Sequence, residues 1–141
     1  MRRVPSPSQP VVEAQPTLRG ALAHAQSVSA EAAAVGFDWD NATQVRLKVD
    51  EELAELDEAM LGGDVARVLD ELGDVLFTLV NLARHLGVPA ESALSGATAK
   101  FERRFRSVEA QLSAAGRTVQ TTGTEELEEC WQRAKLVEEG G

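Results

Sequence analysis

Two pairs of acidic residues, each with its members three positions apart, are the side chains of this sequence best suited to do chemistry. The first pair is Glu52 and Glu55, and the second is Glu71 and Asp74. Both pairs lie in segments with helical periodicity, where residues three apart project from one face. Carboxylates in this number, without a matching set of nearby basic residues, favour a hard cation such as Mg²⁺, with Mn²⁺ as a substitute. The pattern predicts a metal-dependent enzyme.

The second acidic pair interrupts a run of mostly apolar residues at 65–86. A carboxylate close to a packed core costs free energy unless it is paired, protonated or bound to a cation. Glutamates on an exposed helix surface are common and carry less information. Glu71 and Asp74 are therefore the stronger functional candidates.

Two basic residues one helical turn apart, Lys100 and Arg104, flank the apolar stripe of a later segment. Together with the acidic pairs they indicate a phosphate site, because a metal can bridge phosphate oxygens while Lys and Arg neutralise the remaining charge. Neither histidine follows a glutamate at the Glu-x-x-His spacing of di-iron bundles, and the sequence has no P-loop motif. These absences argue against a redox centre and against a P-loop enzyme.

The composition is that of an ordinary globular domain. The 141 residues are 43% hydrophobic and 26% charged, enough to build one core. The net charge of −9 argues against binding to nucleic acid or to an anionic membrane surface. The sequence has no apolar stretch long enough to span a bilayer, no secretory signal, and a single cysteine, Cys130, so we expect a cytoplasmic protein.

Helical periodicity dominates after a proline-rich start. Residues 1–16 contain four of the five prolines and are predicted to be a disordered lead-in to one catalytic domain at 17–141. Glycines and capping residues divide that domain into helices, with only weak strand signals. The predicted helices lie near 18–35, 43–61, 64–87, 90–114 and 125–138. The predicted fold class is all-α, a helical bundle.

The second and third predicted helices must position the acidic pairs. The short joint at 62–63 makes them antiparallel, so all four carboxylates are expected to meet in one pocket. The third helix is apolar over so wide an arc that we expect it to lie centrally and to be buried in a homodimer or larger assembly. The buried stripe of the second helix is predicted to be Val45, Val49, Leu53, Leu56 and Met60.

Two further expectations concern the later helices. The buried stripe of the fourth helix is predicted to be Leu94, Ala97, Phe101, Phe105, Val108 and Leu112. His85, at the end of the third helix, is expected to have a capping or surface role, because a cation is favoured at a helix C-terminus.

Several segments of the chain together resemble the MazG family. They are GFDW at 36–39, KVDEELAE at 48–55, ELGDVLF at 71–77, VNLARHL at 80–86, KFERRF at 100–105, and Trp131 with the Ala-Lys that follows it at 134–135. The similarity runs from about residue 18 to 135 and is to the catalytic C-terminal half of two-domain bacterial MazG proteins. The acidic signature is shared by all-α NTP pyrophosphatases in general, whereas the FDW and KFERRF segments are more specific to MazG.

The resemblance implies a nucleoside triphosphate pyrophosphohydrolase that uses Mg²⁺ to cut an NTP or dNTP into NMP and pyrophosphate. It implies that the catalytic, metal-binding residues are Glu52, Glu55, Glu71 and Asp74. It implies that the substrate-binding residues are Lys48, Arg67, Lys100, Arg104, Trp131 and Lys135. It further implies a homodimer or a dimer of dimers, acting in nucleotide-pool house-cleaning or in the control of nucleotide-based stress signals.

Two alternative functions stay open at this point. One is a catalytically inert helical dimer that acts as a regulatory or protein-binding module, and the other is a narrow dUTP or dCTP hydrolase of the same superfamily. Thr98 stands where the family commonly has Asn, and the linker between the acidic pairs is short. Both departures affect the expected nucleobase preference and leave the expected chemistry unchanged.

Overall fold

The structure, a computed structural model, describes residues 20–140 and is helical throughout this range, with no strand. Its elements are α1 (Ala21–Ala34), α2 (Ala42–Gly62), α3 (Val65–His85), α4 (Ala90–Ala114), a short 3₁₀ helix (Val119–Thr121) and α5 (Thr124–Gly140). The all-α prediction is confirmed. The predicted lead-in at 1–16 lies outside the described residues, and the single domain at 17–141 stays a prediction.

The joint between α2 and α3 follows from two residues of the sequence, Gly63 and Asp64. Gly63 ends α2 with a φ of 72°, a left-handed conformation that residues with a Cβ rarely adopt. Asp64 then begins α3, since its side chain accepts a hydrogen bond from the Ala66 amide at 3.0 Å. So short a joint returns α3 along α2, and the two helices pack against each other.

The chain divides into two compact units, the first ending at residue 93 and the second beginning at residue 94. In the first unit, α3 packs against both α1 and α2. The second unit has its own small core of Val108, Leu112 and Cys130, against which side chains of the 3₁₀ helix and α5 pack. None of the helices in residues 20–140 has the length and hydropathy that a membrane span requires.

The buried face of α2 differs from the predicted stripe. Val45 and Val49 are buried as predicted, but Leu53 and Met60 are exposed, and Glu52 is buried in their place. The predicted stripe was wrong by part of a turn, because the covered face of α2 includes a carboxylate that apolar periodicity assigns to the flank. The tertiary packing thus places a charged side chain inside the first unit.

α3 packs against both α1 and α2, in line with its wide apolar arc, yet the single chain leaves part of that arc exposed. Its buried residues are Val75, Thr78, Val80 and Asn81. The apolar side chains along another face are exposed: Val65, Leu69, Leu72, Leu76 and Leu79. One chain covers only part of the apolar arc, because α1 and α2 are the helices of the first unit that pack against α3.

Apart from Ala90 at its start, the buried residues of α4 lie in its second half. Val108 and Leu112 are buried as predicted, whereas Leu94, Phe101 and Phe105 are exposed, so that part of the predicted stripe was wrong. Contact with Trp131 of α5 covers only part of the Phe101 side chain, which stays 56% exposed.

A network of polar side chains ties together α1, α3 and the loop between α1 and α2. Arg84 donates to both carboxylate oxygens of Asp38 and, through Nε, to the Ser29 hydroxyl at 2.7 Å. His85 lies with Nε2 3.0 Å from Asp38 Oδ1, so its expected capping or surface role is replaced by a pairing with this carboxylate. The buried Asn81 accepts hydrogen bonds from Ser29 and Arg84.

This network lowers the pKa of Asp38. Burial alone would raise that pKa, but the hydrogen bonds from Arg84 and His85 and from the Trp39 amide outweigh it and bring the pKa down from 3.8 to about 2. The charged carboxylate is therefore more stable in the folded chain than in the unfolded chain.

We predict that the free energy of unfolding falls as the pH drops from 3.8 toward 2, because a depressed carboxylate pKa stabilises the fold above the unfolded value and loses this contribution below it. Asp38→Asn should remove roughly 2 kcal/mol at neutral pH and flatten this part of the pH profile in urea titrations. Asp40→Asn, at an exposed position nearby, is the control and should change little. Equal pH slopes for wild type and Asp38→Asn would contradict the prediction.

Candidate functional site

Packing of α2 against α3 brings three of the predicted carboxylates together. One oxygen from each of Glu52, Glu55 and Glu71 lies within 4.8 Å of the other two. The first two residues lie one turn apart on α2, and the third comes from α3. Two oxygens that bind one Mg²⁺ at about 2.1 Å are at most about 4.2 Å apart. Small rotations of these side chains would therefore bring the three oxygens close enough to coordinate one cation.

Two carboxylate oxygens of this group are buried. Glu52 is only 7% exposed. Its Oε2, like Oε2 of Glu71, is buried and has no hydrogen-bond partner among residues 20–140. Leaving a buried carboxylate oxygen unsatisfied is costly, on the order of 1–3 kcal/mol or more. A divalent cation would satisfy both oxygens, so the residues present fit a metal ion.

Electrostatic repulsion accompanies this arrangement. The charge of Glu52 is the largest cause of a raised pKa at Glu55, with burial and the charge of Glu71 adding to it. Repulsion between carboxylates disfavours the ionised state of each, and a nearby cation relieves it. The electrostatics therefore favour cation binding, as the unsatisfied oxygens do.

Asp74 lies beside the cluster and outside the group of three. Its side chain is exposed. The sequence pattern had instead suggested that it lies in an apolar interior. Although the side chain is exposed, partial loss of solvent around it is the largest cause of its raised pKa, followed by the charges of Asp70 and Glu52. The influence of Glu52 shows that Asp74 is electrostatically coupled to the cluster. Its predicted role as a fourth ligand stays a prediction.

Among the basic residues of the first unit that the structure describes, Lys48 is the one that reaches the cluster. Its Nζ lies 3.2 Å from Glu52 Oε1 and 3.1 Å from Glu51 Oε2. Its pKa is raised, mainly by the hydrogen bond to Glu51. Arg67 is exposed and lies 3.6 Å from Glu58, outside the group of three carboxylates. The predicted substrate contacts of Lys48 and Arg67 stay predictions.

The remaining predicted substrate-binding residues belong to the second unit. Arg104 donates from Nε to Glu138 at 2.7 Å, and its guanidinium carbon lies 5.9 Å from the Trp131 ring centroid. Lys100 is exposed and Lys135 is partly buried. Arg104 and Trp131 are thus in contact, and Glu138 neutralises the cation.

Aromatic side chains line a groove in the same unit. The Phe101 ring lies 5.3 Å from that of Trp131, and both residues, with Phe105, border a groove of about 250 Å³. Apolar periodicity had assigned both phenylalanines to a buried stripe. Their exposure makes this groove a surface feature rather than a core.

Sequence reasoning missed two long-range pairings, one of a predicted site residue and one at the end of α3. Glu138, 34 positions from Arg104, holds that arginine. Asp38 entered only as part of a family motif, although it anchors Arg84 and His85 from 46 and 47 positions away. No local spacing rule connects residues so far apart, since their contact depends on how the helices pack.

Comparison with known proteins bears on the same residues. Residues 41–108 match the model of the MazG nucleotide pyrophosphohydrolase domain. The nucleoside triphosphate pyrophosphohydrolase of Escherichia coli K12 is 45% identical over 123 residues, which are 84% of this chain and 46% of that protein. The Thermotoga maritima protein named nucleoside triphosphate pyrophosphohydrolase/pyrophosphatase MazG is 42% identical over 115 residues, covering 82% and 44%.

The chain thus spans about half the length of the curated relatives it matches. A shorter match, 37% identical over 68 residues, is to the uncharacterized protein YabN of Bacillus subtilis. The segment that matches the family model contains α2, α3 and both acidic pairs. Through this segment the chain is similar to the MazG nucleotide pyrophosphohydrolase domain.

Proposed function

We propose that this chain hydrolyses nucleoside triphosphates, NTP or dNTP, to NMP and pyrophosphate and that it depends on Mg²⁺. The observation that carries the proposal is the group of Glu52, Glu55 and Glu71, with two buried oxygens that lack a partner in the described range. This group lies in the segment that matches the MazG domain. The names of the Escherichia coli and Thermotoga maritima relatives support the same activity.

The carboxylates have two proposed tasks. Glu52, Glu55 and Glu71, with Asp74 beside them, hold the cation, for which Mn²⁺ is a substitute. The cation, when bound, supplies neutralisation of the triphosphate and acidifies a water molecule. A carboxylate oxygen of the cluster accepts the proton from the attacking water.

The basic and aromatic residues are proposed to bind the nucleotide. Lys48, Lys100 and Arg104 bind phosphates, and Arg104 stabilises charge on the departing pyrophosphate after a phosphate replaces Glu138. The other proposed contacts are Trp131 near the nucleotide, with Lys135 and Arg67. We further propose that the enzyme works in the cytoplasm, in nucleotide-pool house-cleaning or in nucleotide-stress control.

The rival of a different class is an inert helical module. The buried, unpartnered Oε2 atoms of Glu52 and Glu71 argue against this rival. A protein with no cation to bind would be more stable with an amide at either position. A narrow dUTP or dCTP hydrolase is the enzymatic rival. Pyrophosphate release from a panel of NTPs and dNTPs in Mg²⁺ separates all three, since the module gives no product and the narrow enzyme gives product from one base.

Self-association is part of the proposal. The second copy would cover the apolar side chains that one chain leaves exposed on α2 and α3: Met60, Leu61, Val65, Leu69, Leu72 and Leu76. Neighbouring exposed apolar residues of this number commonly mark an interface. We therefore propose a homodimer, or a dimer of dimers.

We predict that the four ligand positions do not tolerate amides. Glu71→Gln and Asp74→Asn should each lower the hydrolysis rate by about 100-fold or more, because each removes a charge that holds the cation. Both variants should fold at least as stably as wild type, since repulsion is relieved. Steady-state assays with circular dichroism test this, with the exposed Asp57→Asn on α2 as the control that stays active. A variant that keeps over roughly a tenth of the wild-type rate at saturating Mg²⁺ would refute the assignment.

Sedimentation at micromolar concentration should give a mass of at least twice the 15.1 kDa of one chain. Leu69→Glu, on the exposed face of α3, should shift the protein toward the monomer because it introduces a charge into the proposed interface. Leu136→Glu, at a similarly exposed leucine of the second unit, is the control and should leave the mass unchanged. A wild-type monomer would count against this prediction.

The third prediction concerns which bond breaks. Attack of water at the α-phosphorus gives NMP and pyrophosphate directly, so hydrolysis in ¹⁸O-labelled water should place the label in NMP and leave pyrophosphate unlabelled. Mass spectrometry of both products provides the measurement. Label in pyrophosphate would instead indicate attack at the β-phosphorus, and direct formation of NDP with orthophosphate would indicate a γ-phosphatase.

A further inference from the structure

Lys48 and Glu52 form an ion pair that is more protected from solvent than the Arg46–Asp50 pair on the same helix. The side chain of Lys48 is 23% exposed and that of its partner Glu52 is 10% exposed. Arg46 and Asp50 form a pair with the same spacing of four residues, yet both are more than half exposed. Solvent screens the exposed pair, whereas removing one partner of the protected pair leaves a buried charge without compensation.

The pair divides the two oxygens of Glu52 between two roles. Oε1 faces Lys48 Nζ at 3.2 Å. Oε2 is the buried atom for which the described chain supplies no hydrogen-bond partner. Glu52 therefore has one oxygen engaged on its own helix and one that is buried without a protein partner in residues 20–140.

We propose that Lys48 is the internal counter-cation of the carboxylate cluster. It pairs with Oε1 of Glu52 and offsets part of the negative charge of the cluster before a metal binds. This inference rests on the metal site of the proposed function. It goes beyond the phosphate contact assigned to Lys48, because it concerns the protein without any nucleotide.

The charges decide the sign of the expected effects. Without Lys48, the metal-free protein must hold Glu52 buried beside two other carboxylates with no cation near it, so it should be less stable. A bound Mg²⁺ supplies the missing positive charge and no longer meets the repulsion of an ammonium group. Loss of Lys48 should therefore weaken the metal-free fold and strengthen Mg²⁺ binding.

The test uses the full chain, with thermal unfolding in EDTA and in saturating Mg²⁺ and with calorimetric titration of Mg²⁺. Lys48→Met should lower Tm by about 5 °C without metal, and saturating Mg²⁺ should restore most of this difference. The Kd for Mg²⁺ should fall about fivefold. Arg46→Met, which breaks the exposed pair of the same spacing, should change neither quantity.

Three results would overturn the inference. Unchanged metal-free Tm and Kd in Lys48→Met, with only the KM for nucleotide raised, would leave Lys48 as a phosphate contact alone. A weakened Mg²⁺ affinity would show that Lys48 does not oppose the cation. Failure of wild type to bind Mg²⁺ would refute the metal site itself, and with it this role of Lys48. The first two results would refute only the role of Lys48 and leave the metal site standing.

A second variant keeps the test decisive if Lys48→Met does not fold in EDTA. Adding Glu52→Gln to Lys48→Met removes the buried charge that needs a counter-cation, so the double variant should recover the fold. A double variant that stays unfolded would show that Lys48 serves packing rather than charge, and would refute the proposal.

Discussion

The burial of Glu52 between α2 and α3 is the constraint on which the candidate site depends. A carboxylate in this position is stable only with compensation, and its two oxygens obtain it differently, since Oε1 faces Lys48 and Oε2 has no protein partner within residues 20–140. Glu55 and Glu71 increase the repulsion. Such an arrangement is a poor way to stabilise a fold and a good way to bind a cation.

The position of α3 matters because it supplies Glu71 and Asp74. Its C-terminal half is held by Arg84 and His85, which pair with Asp38, and by Asn81, which bonds to Ser29 of α1. These groups satisfy one another, in contrast to the carboxylates two to three turns earlier on the same helix. One half of α3 therefore stabilises the first unit, while the other half carries unsatisfied charge.

The second unit has a different balance of charge. Arg104 already has a carboxylate partner in Glu138, and it lies against Trp131, so its positive charge is held in place without a substrate. An arginine pre-positioned in this way loses little side-chain entropy when an anion replaces the carboxylate. The groove lined by Phe101 and Trp131 adjoins it, which suits a ligand that combines charge with an aromatic ring.

Sequence alone determined the helices, their joints and the acidic pairs, because helical period, Gly63 and Asp64 act locally. The family motifs in the sequence likewise indicated the similarity to MazG without any structural information. Tertiary structure alone decided that Glu52 is the buried carboxylate and Asp74 an exposed one, and that Asp38 pairs with Arg84. The reason is physical: periodicity defines which residues share a helix face, whereas burial and long-range pairing depend on which face the neighbouring helix covers.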